Sequence, residues 1–336
     1  MDRDSRSKNK SDVDPLNVCI RNTLAATLAL VLVFSSAPAM SQTASPQFSL
    51  IGGDLQKRAN GVVSLMQYSL FPDVTTSSLS ISSGTTGNPA FRMTQAGGGF
   101  TWSRSFPLYL EGNVAYSIYD PTFTGTNGTE QVEISAKWTS VTATGGIGWD
   151  FPLASELKLR PIANFTIGRM ESEIVGSVGN IGGLTGPEIN FLKNGRFDVL
   201  GYGGALMLDY ERYRPEHEID VEVRYTIMYL QSIPETSEAV RGEALAQNLN
   251  LWSRWRAPIG LTALQRPVRY VLEFAYSYYF GNQDDVLGFN HLLSLGGGFE
   301  LDVSAYPIYI SRIRLMARYR YGEYVSGYSI GLGISF

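Results

Sequence analysis

Residues 324–336 read Y-V-S-G-Y-S-I-G-L-G-I-S-F, and this C-terminal stretch decides the fold class. Its even positions are aromatic or aliphatic, apart from Ser326, and its odd positions are mostly glycine or serine. Because successive side chains of a strand point to opposite faces, the stretch predicts a strand with one apolar face and one nearly bare face. The closing aromatic residue, Phe336, indicates that the apolar face meets lipid, because aromatic rings collect at membrane interfaces.

The stretch resembles the terminal strand of bacterial outer-membrane β-barrels. That resemblance implies that the barrel-assembly machinery reads the alternating hydrophobic residues and the closing aromatic as a signal. The residues expected to form this assembly signal are Tyr328, Ile330, Leu332, Ile334 and Phe336.

The composition favours a membrane barrel over a helical membrane protein. Charged residues make up 17% of the 336 residues, below the roughly 25% that is usual in soluble domains. A spanning helix needs about 20 consecutive apolar residues, and the sequence contains one candidate run, near its N-terminus. A formal net charge of −4 argues against nucleic acid as a partner.

The N-terminus has the three parts of a secretory signal peptide. Residues 1–21 are polar and carry basic side chains, residues 24–34 are apolar, and residues 37–39 read A-P-A. We therefore predict a signal peptide over residues 1–39. A signal-anchor helix is the alternative, although the apolar run is short for a membrane span. Cys19, the one cysteine, would be removed with the signal, so we expect no disulfide, no metal site and no cofactor.

The next segment, residues 40–74, precedes the barrel. Within it, residues 54–70 show apolar side chains at roughly helical spacing, and F-P-D at 71–73 ends the pattern. Part of the same stretch is also compatible with a strand. We keep both interpretations open, the first being a helix inside the barrel lumen.

Residues 75–336 repeat alternating units of about ten to thirteen residues, as membrane barrels do. This pattern predicts an all-β fold, an up-and-down antiparallel transmembrane β-barrel of twelve strands. Because periplasmic turns are short and extracellular loops long, the segments near 120–137, 171–196, 231–246 and 281–289 are expected outside. The strands are predicted near 75–82, 91–104, 107–119, 138–150, 157–169, 197–210, 218–230, 247–257, 268–280, 290–302, 309–321 and 324–336.

Residues 50–336 are similar to the translocator domain of autotransporters. The resemblance rests on the twelve predicted strands, the helix interpretation of the upstream segment and the terminal strand. This resemblance implies export followed by insertion into the outer membrane of a Gram-negative bacterium. The sequence departs from the family because the segment before the predicted helix is too short to be a passenger domain. The expectation is therefore a solitary, passenger-less barrel.

Enzyme activity is not indicated by the two histidines. His217 falls in a predicted periplasmic turn, and His291 opens a strand without a serine or asparagine in phase with it. Neither matches the serine–histidine–asparagine arrangement of outer-membrane lipases or the rim site of omptin-like proteases. We therefore expect no catalytic residues.

Charged residues on one face of the strands form the remaining candidate site. Arginine side chains facing lipid would each cost ~2–4 kcal/mol near the midplane, so this charged face is expected to line the lumen. One interpretation is a network of cross-strand ion pairs that fills the lumen, and the other is a selectivity zone for small solutes. This charge belt is predicted to contain Glu218, Asp220, Glu222, Arg224, Arg254, Arg256, Arg269, Glu273, Glu300, Asp302, Arg312 and Arg314.

These observations lead to a structural or surface-interaction protein of the outer membrane. The alternative is a small-solute, porin-like channel, and an outer-membrane lipase or protease ranks third. The expected partners are outer-membrane lipids and the barrel-assembly machinery, and the sequence does not identify a surface ligand.

Overall fold

The computed structural model describes residues 49–51, Leu55, Ala59, and residues 74–83, 91–126, 128–175, 185–280, 290–304, 310–322 and 325–335. The predicted signal peptide and Phe336, the closing aromatic residue of the predicted assembly signal, lie outside these residues.

Strands dominate the described residues, with the helix α1 at Pro187–Asn194 and a 3₁₀ turn at Glu238–Val240. The strands are β1 Ser49–Ile51, β2 Val74–Ser83, β3 Phe91–Thr101, β4 Leu108–Tyr119, β5 Thr122–Thr126, β6 Gln131–Trp149, β7 Phe151–Ala154, β8 Leu157–Ile174, β9 Arg196–Tyr213, β10 Glu218–Ser232, β11 Glu243–Ala263, β12 Arg266–Phe280, β13 His291–Asp302, β14 Arg312–Gly322 and β15 Val325–Ser335.

Twelve of these strands form a closed ring, which confirms the predicted barrel. Each long strand pairs antiparallel with the next long strand along the chain, and β4 pairs with β6 and β6 with β8 across the short strands. The last strand, β15, pairs with the first, β2, over ten residue pairs from Val325–Ser83 to Ile334–Val74. Pairing of the last strand with the first leaves no free edge, as a barrel in lipid requires.

The two ends of the barrel differ in their connections. At one end, here called the short-turn end, the turns include residues 214–217 and 264–265. The other, the long-loop end, carries β5, α1 and the 3₁₀ turn in its connections. β1 also lies at the long-loop end, because it pairs with β5.

Several strands extend into segments that the sequence pattern assigned to connections. β6 begins at residue 131 rather than 138, and β11 runs to Ala263 through the expected turn at 258–267. Leu264 and Gln265 close that hairpin with φ of 53° and 61°. A two-residue hairpin turn needs this left-handed backbone, and here it is supplied by residues other than glycine, which the turn pattern did not indicate.

The predicted lumenal helix is described only at Leu55 and Ala59. Both residues are helical and fully buried among apolar side chains at the long-loop end. The rest of residues 54–70 lies outside the described residues.

The outer wall is apolar and ends in aromatic residues at both rims. Ile313 and Leu315 on β14 are exposed, whereas Arg314 and Met316 between them are buried, so the alternation separates a lipid face from a lumen face. Rings of aromatic residues at the two rims, called aromatic girdles, mark the two membrane interfaces of a barrel. At the short-turn end the exposed rings are Trp102, Phe106, Trp149, Phe151 and Trp255, and at the long-loop end Tyr116, Tyr202, Tyr276, Tyr319 and Tyr321.

In the part of the chain that the structure describes, no helix has the length and hydropathy of a membrane span.

Candidate functional site in the barrel lumen

The predicted charge belt faces the lumen in the half next to the short-turn end. Nine of its twelve residues are buried, and Arg269, Asp302 and Arg312 are half-buried. The strand register brings opposite charges together, because Glu218 lies directly opposite Arg256, Asp220 opposite Arg254, and Glu300 opposite both Arg269 and Arg314.

Glu300 is the centre of the largest ion-pair network. Its carboxylate lies 2.5 Å from Arg314, 3.2 Å from Arg256, 3.3 Å from Arg269 and 3.5 Å from Arg312, and its side chain has no exposed surface. A carboxylate can accept hydrogen bonds at about four lone-pair sites, so these guanidinium groups account for its whole capacity.

Glu218 and Asp220 extend this network along β10. Glu218 pairs with Arg256 at 3.0 Å and with Arg312 at 2.6 Å. Asp220 accepts from Arg254 and Arg256, each at 2.9 Å. Eight of the twelve predicted residues therefore form one connected cluster.

The other four predicted residues have separate environments. Glu273 pairs with Arg318 at 2.6 Å, and Arg224 pairs with Glu111. Asp302 accepts hydrogen bonds from the backbone and side chain of Ser304 in the adjoining turn. Glu222 lies opposite Trp252 in the register and not opposite a basic residue.

Two ion pairs cross the lumen. Arg224 on β10 donates two hydrogen bonds of 2.8 Å to Glu111 on β4, and Arg312 on β14 reaches Glu218 on β10. Each pair joins strands that are four positions apart in the ring, a separation of about 19 Å along the wall at ~4.8 Å per strand. Direct contacts over that separation have to pass through the interior, so the lumen is bridged at this level.

A second network, which the sequence analysis missed, covers the opposite wall. Arg160 on β8 pairs with Asp150 at 2.5 Å and with Asp209 at 3.0 Å. Lys158 pairs with Asp209 at 3.2 Å and with Glu211 at 3.0 Å. The signal was present, because Lys158 and Arg160, and likewise Asp209 and Glu211, are spaced by two like the residues of the predicted belt.

Asp150 lies in the turn between β6 and β7, where its carboxylate is held by several donors. Thr101 donates to it at 2.7 Å, in addition to Arg160. Burial alone would raise the pKa of the Asp150 carboxyl, but the hydrogen bonds from Arg160 and Thr101 outweigh it and hold this pKa below its usual value. Asp150 therefore stays charged and fixes Arg160.

Tyr109 and Gly99 complete this wall. The Arg160 guanidinium lies 3.8 Å from the centroid of the Tyr109 ring, a cation–π contact. The ring occupies the space beside Gly99, where any β-carbon would overlap the Tyr109 hydroxyl. The absence of a side chain at Gly99 therefore leaves room for a buried ring.

The half of the lumen next to the long-loop end is occupied mainly by a buried cluster of apolar side chains, which we call the apolar layer. Trp138 of β6 lies at its centre with no exposed surface, 5.7 Å from the ring of Phe123 and 5.8 Å from the ring of Phe191 in α1. Inward-facing residues of several other strands join the same cluster. Its larger members also include Met93, Ile134, Met170, Ile189, Leu192, Phe197, Met228, Leu230, Tyr279 and Leu292, together with Leu55.

The two histidines take part in ring contacts. His217 stacks on Trp255 with ring centroids 4.9 Å apart, and His291 lies 6.3 Å from the Tyr276 ring and 2.8 Å from Asn290. Within the described residues, no group of histidine, cysteine, aspartate and glutamate side chains is arranged to hold a metal ion.

The assembly-signal residues that the structure describes lie on the outer face of β15. Tyr328, Ile330 and Leu332 are exposed, and Ile334 is half-buried. Glycine and serine residues between them face the lumen and are mostly buried.

The sequence matches no family model and no curated protein. In fold, the chain is similar to autotransporter translocator domains. The β-domain of the Bordetella autotransporter BrkA is 14% identical, with a TM-score of 0.47 over 78% of this chain and 98% of that one. The transport unit of AIDA-I from Escherichia coli is 9% identical, with a TM-score of 0.48 over 84% and 98%. The KdgM porin is 9% identical, with a TM-score of 0.34 over 78% and 99%.

Proposed function

We propose that this translocator-like barrel is a closed structural or surface-interaction protein of a Gram-negative outer membrane, and not an open channel. The observation that carries the proposal is the double closure of its lumen. The charge belt is bridged by direct ion pairs between strands four positions apart, and the apolar layer fills the other half.

The physical argument concerns what a solute would have to displace. An ion moving through the belt would break buried, hydrogen-bonded charge pairs, each costing several kcal/mol to leave without a partner. Beyond the belt it would enter a layer of mainly apolar side chains, where an ion is strongly disfavoured. Neither half suits a selectivity zone, which must bind a solute weakly enough to release it.

The surface role follows from the long-loop end. This end carries β1, β5, α1 and the 3₁₀ turn, whereas the short-turn end has turns as short as two residues. On the rule that long connections face outside, these elements are presented at the cell surface, where they are available to a ligand or a neighbouring cell.

Conductance of the purified protein in a planar lipid bilayer tests the proposal. We expect the wild type to give no resolved single-channel steps, and Arg224→Ala combined with Trp138→Ala to give measurable steps because both halves are weakened. A matched control is Lys137→Ala, which removes an exposed charge that pairs with Glu173 outside the lumen and should leave conductance unchanged. Stable, ion-selective steps in the wild type would favour the porin-like alternative.

A further inference from the structure

A shallow groove runs across the lipid-facing side of β3, β4 and β6, and we call it the glycine groove. Its floor is a row of three glycines that the register places side by side, Gly98 opposite Gly112 and Gly112 opposite Gly145. A β-carbon on Gly145 would meet no atom within 4 Å, and one on Gly112 would meet only the Thr144 carbonyl oxygen at 3.9 Å. The floor is therefore open toward lipid.

The walls of the groove are apolar side chains. Phe165 lies opposite Gly145 on β8 and closes one end, with 60% of its surface exposed. The next register row toward the short-turn end is Phe100, Leu110 and Ile147. In a bilayer the groove is bordered by hydrocarbon only, so its natural content is an acyl chain.

The groove continues to the aromatic girdle and a cation. Past its apolar rows lie the exposed Trp102 and the edge-to-face pair of Phe106 and Trp149, whose ring centroids are 5.2 Å apart. Arg104 is exposed in the same turn, which is held by the Trp102 amide donating to the Leu108 carbonyl at 2.8 Å. Tryptophan rings mark the depth of lipid headgroups, so Arg104 lies at the depth of a phosphate.

The dimensions match one leaflet. The groove extends one register row further from the short-turn end, to Ala96 opposite Val114. From Ala96 to Trp102 the chain advances six residues, roughly 20 Å at ~3.4 Å per residue. With a strand tilt of about 40°, that length spans ~15 Å along the membrane normal, half of a ~30 Å hydrocarbon core.

We propose that the glycine groove is a binding site for one glycerophospholipid of the leaflet at the short-turn end. An acyl chain lies over Gly98, Gly112 and Gly145, the glycerol backbone lies against the girdle rings, and the Arg104 guanidinium binds the phosphate. A guanidinium is suited to this task because its planar fork of N–H donors matches phosphate oxygens.

The test is lipid retention measured by native mass spectrometry. The full-length protein, released from detergent micelles doped with phosphatidylglycerol at low molar ratio, should keep one phospholipid. Gly145→Leu adds a side chain to the floor of the groove, where a β-carbon meets no atom within 4 Å, and Arg104→Gln removes the phosphate contact. Each should lower the retained fraction about tenfold, the equivalent of ~1.4 kcal/mol.

Matched controls separate the site from general effects. Gly297→Leu adds the same side chain to another lipid-facing glycine, where a β-carbon meets only one oxygen at 4.0 Å. Arg266→Gln removes another exposed arginine at the short-turn end, beside the turn 264–265. Both should retain lipid like the wild type. If Gly145→Leu does not fold, as judged by heat-modifiable gel migration, Gly112→Leu tests the same groove.

Three outcomes would overturn the proposal. They are a wild type that keeps no phospholipid, groove variants that keep as much as the wild type, and control variants that lose lipid equally. Diacylglycerol, which lacks the phosphate, should be retained at least about tenfold less than phosphatidylglycerol if Arg104 binds the phosphate. Equal retention of the two lipids would also contradict it.

Discussion

Replacing the pair of Arg224 and Glu111 tests the lumen bridge most directly. The two side chains are 7% and 1% exposed, and they are joined by two hydrogen bonds of 2.8 Å. Asn164 supports both, donating to Glu111 at 2.5 Å and accepting from Arg224 at 3.3 Å. Arg224→Met leaves Glu111 as a buried charge without its counterion, and Glu111→Leu does the converse.

Each single change should lower the free energy of unfolding by about 3–5 kcal/mol, the usual cost of breaking a buried pair from one side. The double variant removes both charges of this pair and should be more stable than either single variant. The coupling between the two sites should therefore be at least ~3 kcal/mol, well above the scatter of additive sites.

The assay is urea-induced unfolding from lipid vesicles, followed by tryptophan fluorescence for the wild type, both single variants and the double variant. The control cycle uses Lys137 and Glu173, which face each other in the register with a 2.8 Å contact but are exposed. Solvent screening should leave little coupling in that pair. Additive effects at Arg224 and Glu111 would refute the bridge.

Three other predictions have defined outcomes. Gly99→Val should destabilise the barrel by about 1–3 kcal/mol in the same unfolding assay, because its side chain overlaps the Tyr109 ring. Gly145→Val should not destabilise it, and equal stability of the two variants would contradict the packing argument. Ile330→Arg places a charge at the centre of the lipid face of β15 and should lower the free energy of unfolding by ~2–4 kcal/mol. We expect the loss of heat-modifiable gel migration, and unchanged migration would show that this face does not meet lipid. N-terminal sequencing of protein from outer-membrane fractions should begin at or near Met40, and intact residues 1–39 in the inner membrane would point to the signal anchor.

The strand arrangement could be predicted from the sequence because alternation is a local property. On β12 and β14 every second residue is apolar and exposed or half-buried, and the positions between them carry the buried Glu273, Arg314 and Arg318. The same periodicity could not identify the counterions across the lumen. Glu111 meets Arg224 only because the curvature of the ring brings β4 and β10 within reach across the lumen, and alternation along one strand carries no information about that distance.

The apolar layer was missed for a different reason. Ile189, Phe191 and Leu192 belong to a segment whose glycine, asparagine and threonine content indicated a solvated loop. Their eight-residue helix is too short to be stable alone, and it is held by packing inside the barrel. Propensity along the chain could not reveal a helix whose stability comes from residues on other strands.

The two ion pairs that cross the lumen also bear on the order of folding. Arg224 and Glu111 are 113 residues apart in sequence, and Arg312 and Glu218 are 94 apart. Neither pair can form until the strands between its members have assembled, so we expect these contacts to form late in folding. Contacts absent from the folding transition state act mainly on the unfolding rate. These two ion pairs should therefore slow the unfolding of the assembled barrel without raising its rate of assembly.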